Sequence, residues 1–207
     1  MALEKNIPIG AGLGGGSSDA AAAFHALNQQ WNINLPTNML TELASALGSD
    51  IAACLTPRAQ WMSGTGNTLA PAHINAELWA VIAYPNIALS SAAVYQAFSS
   101  SRAQSRDLHN TMPKFGSFCC DDAESLIHYL QQTENHLTQP AISCVPEIAE
   151  ILTALTKLPG AKLTRMSGSG SACFALFDSQ PAAQTAASDQ LTQNHPDWWV
   201  GCAKLIF

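Results

Sequence analysis

The chain has 207 residues, of which 47% are hydrophobic, so it can bury the core of a globular protein. Its formal net charge of −6 argues against nucleic acid or an anionic membrane surface as a partner. No apolar run reaches the roughly 18 residues that a membrane-spanning helix needs. The cysteines show no C-x-x-C spacing and the histidines no H-x-x-H spacing, so we expect reduced cysteines and no zinc site. These properties predict a cytoplasmic globular protein.

A glycine-rich run from Pro8 to Asp19, P-I-G-A-G-L-G-G-G-S-S-D, is the first informative segment. The alanines after it predict a helix over about 17–30. Glycine lets the backbone approach a ligand, and a helix that begins there presents unpaired N–H groups and the positive end of its dipole, which together bind phosphate. Ser17 or Ser18 could cap the helix or help hold a metal ion that accompanies the phosphates. The candidate phosphate-binding residues are Pro8, Gly10, Ala11, Gly12, Leu13, Gly14, Gly15, Gly16, Ser17 and Ser18.

Other interpretations of this run fit the residues less well. A dinucleotide-binding fold needs an acidic residue about 20 positions after the glycines, and the stretch Gln29–Pro36 contains none. A P-loop needs lysine where this chain has Gly16. A glycine-rich turn without a ligand would weaken the fold through its unfolded-state entropy. The run therefore favours a phosphate-binding loop of another type.

A second segment of interest follows an amphipathic stretch. The apolar spacing from Met39 to Leu47 predicts a helix that ends at Gly48. Asp50 then precedes an apolar run, and the residues by themselves favour a capping role for it.

The remaining elements alternate between strands and helices. Strands are predicted at 59–62 and 78–84, and the polar stretch Ser99–Lys114 predicts a surface loop. Further helices are predicted over 120–132, 146–158 and 181–193, and a strand over 198–207. Between them, the Ser/Gly run Ser167–Ser171 leads into the apolar run 172–177, in the manner of a turn before a strand. This order suits an α+β sandwich with an antiparallel sheet.

The three glycine-containing segments occur in the order and at about the spacing of the motifs of the GHMP kinases, and the chain resembles that family of small-molecule kinases. Pro8–Asp19 is similar to the second motif, which wraps the phosphates of ATP. Gly48-Ser49-Asp50-Ile51 resembles the segment that carries the catalytic aspartate in one branch, and 163–177 is similar to the third motif. The resemblance implies ATP and Mg²⁺ as cofactors, Asp50 as the general base and Ser17 as a metal ligand.

The branch with that aspartate segment phosphorylates a cytidine diphosphate-linked methylerythritol in the non-mevalonate route to isoprenoids. By resemblance, Tyr95 would stack on the cytosine ring, although a tyrosine half-buried on a helix face fits equally well. The other substrate-binding residues implied are Ser91, Gly168, Ser169 and Gly170. Homoserine, mevalonate and galactose kinases of the same family remain alternatives, although their second motifs more often lack the triple glycine. We expect a monomer or homodimer.

The resemblance also implies an α+β fold of two lobes. Residues 1–80 would form an incomplete first domain of the ribosomal-protein-S5-like type, with the phosphate loop and Asp50, and residues 81–207 a C-terminal α/β sandwich with an antiparallel sheet. Family members begin with a K-[IV]-N-L-x-L strand and a G-Y-H segment, which this sequence does not contain. We therefore expect roughly 80–90 residues of a typical member to be missing before Met1, and an inactive nucleotide-binding fragment is an alternative function. Two shorter segments, Gly64-Thr65-Gly66 and 134–137, also resemble family features.

Overall fold

The structure is a computed structural model, and it describes residues 2–66, 68–102 and 119–207, with the backbone alone at 101 and 102. The described residues divide into two compact units. The sheet unit comprises residues 2–13, 76–102 and 121–205, and the helical unit comprises residues 14–66, 68–75, 119–120 and 206–207. The expected division into lobes after residue 80 stays a prediction.

The chain combines helices with a four-stranded antiparallel sheet, which confirms the predicted α+β fold class. In chain order they are α1 (Gly15–Gln30), α2 (Thr37–Leu47), α3 (Ser49–Cys54), β1 (Gln60–Ser63), β2 (Thr68–Pro71), β3 (His73–Ile74), β4 (Trp79–Tyr84), α4 (Ser91–Arg102), β5 (Cys119–Cys120), α5 (Ala123–Gln131), α6 (Thr138–Cys144), α7 (Glu147–Thr156), β6 (Leu163–Met166), β7 (Cys173–Phe177), α8 (Gln180–Thr185) and β8 (Trp199–Lys204). A π-helical segment, Ala186–Thr192, continues α8. Within the described ranges, no helix has both the length and the apolar character needed to cross a membrane.

The sheet unit is built on a four-stranded antiparallel sheet with the strand order β6-β7-β4-β8. Strand β4 is central, and its side chains alternate between the two faces of the sheet. Val81 and Ala83 belong to the main core, which α7, α8 and the π-helical segment complete. Ile82 and Tyr84 point to the other face, where they pack in a cluster with Ala11 of the glycine-rich run. The sheet thereby anchors the first half of that run.

The helical unit has a smaller core. Helices α1, α2 and α3 meet around five buried side chains, Ala21, Leu40, Ala44, Ala52 and Leu55. The antiparallel hairpin β1–β2 contributes Leu69 to this core. Strands β3 and β5 form a short parallel pair. This arrangement holds the start of α1 and the start of α3 in one unit.

Most predicted elements are confirmed, and two need correction. The sequence predicts a surface loop over Ser99–Lys114, but Ser99–Arg102 form the end of α4, and 103–114 lie outside the described residues. The hydroxyls of Ser99 and Ser100 donate to carbonyls one turn earlier, at 2.9 and 3.0 Å, so these polar residues fit a helix. The helix expected from 120 begins at Ala123, because the Asp122 side chain caps it by accepting from the N–H of Ser125 at 2.7 Å. Cys120 lies instead in β5.

Candidate functional site

The first half of the glycine-rich run is bonded to the third-motif segment within the sheet unit. The N–H of Ala172 donates to the carbonyl of Ala11 at 3.0 Å. The hydroxyl of Ser167 donates to the carbonyl of Gly12 at 2.9 Å. Ala11 itself is only 2% exposed. Two segments separated by about 155 positions are therefore held side by side.

Glycine is required at position 12 by this approach. Its φ is +75°, and a Cβ there would lie 2.8 Å from the carbonyl carbon of Gly170, closer still to the oxygen, and 3.0 Å from its nitrogen. Gly168 has a φ of +52°, and a Cβ there would lie 3.2 Å from the carbonyl oxygen of Gly12. Side chains at these positions would push the two backbones apart.

The third-motif segment forms a closed turn. The N–H of Gly170 donates to the Ser167 carbonyl at 2.8 Å, and the N–H of Ser167 donates to the Ala172 carbonyl at 2.9 Å. The fully buried Ser171 hydroxyl donates to the carbonyl of Ile87 at 2.5 Å. The predicted turn before a strand is thus confirmed, and hydrogen bonds within the turn and to Ile87 contribute to its shape.

Several predicted substrate-binding residues lie together at this turn. The hydroxyls of Ser91 and Ser169 are 2.6 Å apart and share a hydrogen bond. Tyr95 follows Ser91 by one turn of α4, on the same face of the helix. Tyr95 is 57% exposed, so it is not the half-buried residue of the alternative interpretation. Its ring is available to a planar ligand, and its role stays a prediction.

Two polar side chains that the sequence analysis did not identify as functional lie next to this turn. Asn135 bonds to the turn itself, and Arg165 bonds the preceding strand to Leu130 and Thr133. The Asn135 amide nitrogen donates to the carbonyls of Met166 at 3.0 Å and Gly168 at 2.7 Å. The Arg165 guanidinium donates to the carbonyls of Leu130 and Thr133. Burial lowers the pKa of Arg165. Because Asn135 and Gly168 are 33 positions apart, no local spacing could have predicted their contact.

The second half of the glycine-rich run opens α1 in the helical unit. Gly14 takes the left-handed conformation, with φ +67°, as the N-cap of α1, and no side chain caps that helix end. The first helical bond runs from the N–H of Ser18 to the carbonyl of Gly14 at 2.9 Å. The N–H groups of Gly15, Gly16 and Ser17 therefore have no partner inside the helix, which is the arrangement that binds anions.

Asp50 is the second residue of α3, and its carboxylate is exposed. Gly48 is the N-cap and no side chain caps α3, so the capping role that the residues by themselves favoured for Asp50 is wrong. Ser49 donates its hydroxyl to the Asp50 carboxylate at 3.4 Å. Burial, and secondly the Asp50 charge, raise the pKa of Cys54, which lies one turn further along. The carboxylate thus lies in the first turn of α3.

The turn between β1 and β2 packs against this helix start. Gly66 has a φ of +88°, and a Cβ there would lie 2.5 Å from the Cβ of Ser49 and 2.8 Å from its hydroxyl oxygen. The family-like segment Gly64-Thr65-Gly66 therefore supports the residue next to Asp50. This packing against Ser49 gives the turn a structural role.

Each unit gathers part of the predicted site. The sheet unit places Gly12 beside the turn of Gly168, Ser169 and Gly170, with Ser91 against it. The helical unit carries Gly14–Ser18 and Asp50. Gly10, with φ +75°, and Pro8 and Leu13 belong to the sheet unit with Gly12.

Comparisons with known proteins agree on one family. The family model of the GHMP kinases N terminal domain matches residues 1–58, and that of the GHMP kinases C terminal matches residues 118–192. A 4-diphosphocytidyl-2-C-methyl-D-erythritol kinase from Cereibacter sphaeroides is 38% identical over 207 residues, which are 100% of this chain and 70% of that protein.

Solved structures give the same result. A crystal structure of 4-(cytidine 5'-diphospho)-2C-methyl-D-erythritol kinase matches with a TM-score of 0.69 and 31% identity, over 97% of this chain and 69% of that one. A homoserine kinase from Cytophaga hutchinsonii matches with a TM-score of 0.68 and 18% identity, over 97% of this chain and 67% of that one, and shares the fold alone. Both family models and the identity over the whole chain show that it belongs to the GHMP kinases, small-molecule kinases that use ATP as the phosphate donor.

Proposed function

We propose that this chain transfers the γ-phosphate of ATP to the 2-hydroxyl of 4-diphosphocytidyl-2-C-methyl-D-erythritol, a step of the non-mevalonate route to isoprenoids. The observation that carries the proposal is the bond from Ser167 to the Gly12 carbonyl, which joins the second and third family motifs. The substrate is taken from the name of relatives that are 38% identical over the whole chain. The fold supports no particular substrate, since a homoserine kinase shares it.

The start of α1 is the proposed binding site for the phosphates. Its N–H groups at Gly15, Gly16 and Ser17 are oriented out of the helix, and its dipole partly offsets the negative charge of a triphosphate. Among the described residues, nothing lies within 4 Å of a Cβ built at Gly14 or Gly16, so this part of the structure leaves space beside the backbone.

Mg²⁺ would be held mainly by the phosphates. In the part of the chain that the structure describes, no group of three or more His, Cys, Asp or Glu side chains could hold a metal ion. This fits Mg²⁺, which keeps several waters and takes only one or two protein ligands beside substrate phosphates. The Ser17 hydroxyl, at the phosphate-binding helix start, is the proposed protein ligand. When bound, the ion would neutralise charge that develops on the transferred group.

Asp50 is the proposed general base. Its exposed carboxylate can accept the proton of the substrate hydroxyl and orient that oxygen for attack. Ser49 and the Gly66 turn hold the helix start on which it stands. The turn at Gly168–Gly170, with Ser91, would contact the alcohol substrate, and the exposed ring of Tyr95 would stack on its cytosine.

The test is a kinase assay with the complete gene product, including any in-frame residues that precede Met1 in the genome. We expect Asp50→Asn to lower kcat by about 10² or more while the affinity for ATP changes by less than about threefold. Asp189→Asn is the matched control, because Asp189 is also exposed and also accepts from the hydroxyl of the preceding serine, Ser188, at 2.7 Å. Unchanged kcat in Asp50→Asn would rule out Asp50 as the base.

A substrate panel separates the branches of the family. The same protein is offered 4-diphosphocytidyl-2-C-methyl-D-erythritol, homoserine, mevalonate and galactose, and ADP release is measured together with the phosphorylated product. We expect turnover with the cytidine-linked alcohol alone. Preference for another alcohol would assign the chain to a different branch, and ATP binding without any transfer would favour a nucleotide-binding protein without kinase activity.

A further inference from the structure

The side-chain amide of Asn135 both donates and accepts hydrogen bonds. Its nitrogen donates to the carbonyls of Met166 and Gly168, at 3.0 and 2.7 Å. Its oxygen accepts from the N–H of Leu137 at 3.0 Å, which fixes the residue in the connection between α5 and α6. Both donors and the acceptor of the amide are therefore occupied. A serine, aspartate or alanine at this position cannot make the same three bonds.

A second set of hydrogen bonds joins the same two parts of the chain, with the donor on the strand side. Arg165, next to Met166 at the end of β6, donates to the Leu130 carbonyl at 2.8 Å and to the Thr133 carbonyl and hydroxyl at 2.6 and 2.8 Å. The connection after α5 is thus bonded to the strand by Arg165 and to the turn beyond it by Asn135. Asn135 supplies the bonds to both Met166 and Gly168, and of these two the bond to Gly168 is the one that reaches the turn beyond the strand end.

Gly168 lies between the two serines that reach other parts of the sheet unit. On one side, Ser167 donates to the Gly12 carbonyl at 2.9 Å. On the other, Ser169 shares a hydrogen bond with Ser91 at 2.6 Å. Gly168 has a φ of +52°, a conformation that glycine leaves easily. A bond to its carbonyl therefore restricts the residue on which the direction of both serines depends.

We propose that Asn135 is a positioning residue of the kinase site. It holds the Gly168 carbonyl, so that Ser167 meets Gly12 of the glycine-rich run and Ser169 meets Ser91. The role rests on the proposed function, and Asn135 acts through the turn. Losing it should therefore affect kcat more than the KM for ATP, because small displacements of positioned groups cost about 10²-fold in rate.

The test variant is Asn135→Asp. It has nearly the same shape and keeps the acceptor for Leu137, but it loses both donors and turns a carboxylate oxygen towards two carbonyls. The matched control is Asn28→Asp. Asn28 makes a similar two-way contact within the helical unit, donating to the Leu35 carbonyl at 3.3 Å and accepting from the Leu35 N–H at 2.9 Å. It has no part in the proposed site.

The first measurement does not depend on catalysis. Hydrogen exchange of the backbone amides of residues 167–172 is followed by mass spectrometry in the wild-type chain and in both variants. We expect about tenfold faster exchange or more in Asn135→Asp, since bonds that hold the turn closed are lost, and no change at these residues in Asn28→Asp. Unchanged exchange in Asn135→Asp would overturn the proposal.

The second measurement is steady-state kinetics at a temperature where all variants are folded. We expect kcat of Asn135→Asp to fall about 10- to 100-fold, with the KM for ATP within about threefold of wild type. Asn28→Asp should keep kcat within about twofold. Equal losses of kcat in the two variants would mean that Asn135 acts only through general stability, and would overturn the proposal.

Two further outcomes, failure of a variant to fold and absence of kinase activity in the wild type, also bear on the proposal. If Asn135→Asp does not fold, Asn135→Ala removes the same bonds without adding a charge, and it should give the same results. Failure of both to fold, while Asn28→Asp folds, would make Asn135 structural and overturn the proposal. If the wild-type protein phosphorylates no alcohol, the proposed function fails, whereas the exchange experiment still decides whether Asn135 holds the turn.

Discussion

Replacing Gly12 with alanine tests how closely the two glycine-rich segments are joined. A Cβ at this position would lie 2.8 Å from the carbonyl carbon of Gly170, whereas non-bonded carbons prefer about 3.5–4.0 Å. The three atoms nearest to the new methyl group, the carbonyl oxygen, carbonyl carbon and nitrogen of Gly170, all belong to backbone, so no side-chain rotation relieves the overlap. The segments must therefore separate, which breaks the bonds from Ser167 to Gly12 and from Ala172 to Ala11.

The size of the effect follows from two contributions. Alanine at a φ of +75° costs about 1–2 kcal/mol, and two hydrogen bonds contribute about 1–3 kcal/mol together. Gly160→Ala is the matched control in the same unit, because Gly160 has a φ of +87° and the nearest atom to its Cβ would be 3.7 Å away. It should show the backbone cost alone.

The assay is urea unfolding at 25 °C, followed by tryptophan fluorescence. We expect Gly12→Ala to lower the free energy of unfolding by about 1–3 kcal/mol more than Gly160→Ala does. A difference below about 0.5 kcal/mol would refute the reasoning, because it would mean that the segments can accommodate a methyl group without losing their bonds.

Two further predictions concern a glycine and a cysteine. Gly16→Ala should leave the free energy of unfolding unchanged or raise it by up to about 1 kcal/mol, since alanine favours helix and no described atom lies within 4 Å of its Cβ. Isothermal calorimetry of the same variant should show weaker ATP binding. Burial raises the pKa of Cys173 from 9.0 to about 12. The contribution of this thiol to the free energy of unfolding should therefore be fully present below pH 9 and be lost as the pH rises towards 12. The check is urea unfolding of the wild type and of Cys173→Ala across this pH range. The difference in their free energies of unfolding should change with pH, and a constant difference would contradict the prediction.

The elements that the sequence predicted well carry local signals. Helix α7 lies between Pro146 and Pro159, and its apolar residues Ile148, Ile151 and Leu155 recur at helical spacing, so its limits are nearly as expected. Strand β4 is a continuous apolar run that ends at a proline. In both, the residues that define the element are neighbours along the chain.

The elements that were missed depend on contacts that a linear pattern does not contain. Helix α4 continues through Ser99 and Ser100. Their hydroxyls donate to backbone carbonyls one turn earlier, so both polar side chains have hydrogen-bond partners within the helix. The candidate site shows the same limit. Asn135 and Gly168 meet only because α5 and the strand β6 pack together, and a single asparagine before a helix has no distinguishing spacing.

Glycine occurs in the run Pro8–Asp19 for two different physical reasons, although the glycines form one motif in the sequence. Gly12 is required by the neighbouring backbone, since the protein itself occupies the space of a side chain there. In the part of the chain that the structure describes, no atom lies within 4 Å of a Cβ at Gly14 or Gly16. At Gly16 no backbone conformation demands glycine either, because the residue is helical and alanine is the better helix former. Glycine at position 16 costs helix stability without a packing contact among the described residues, which supports the proposed role of this helix start in binding phosphate. Under the proposed function, the uncapped N–H groups beside Gly16 bind the phosphates of ATP, which is why stability and ATP affinity should respond in opposite directions when Gly16 is replaced.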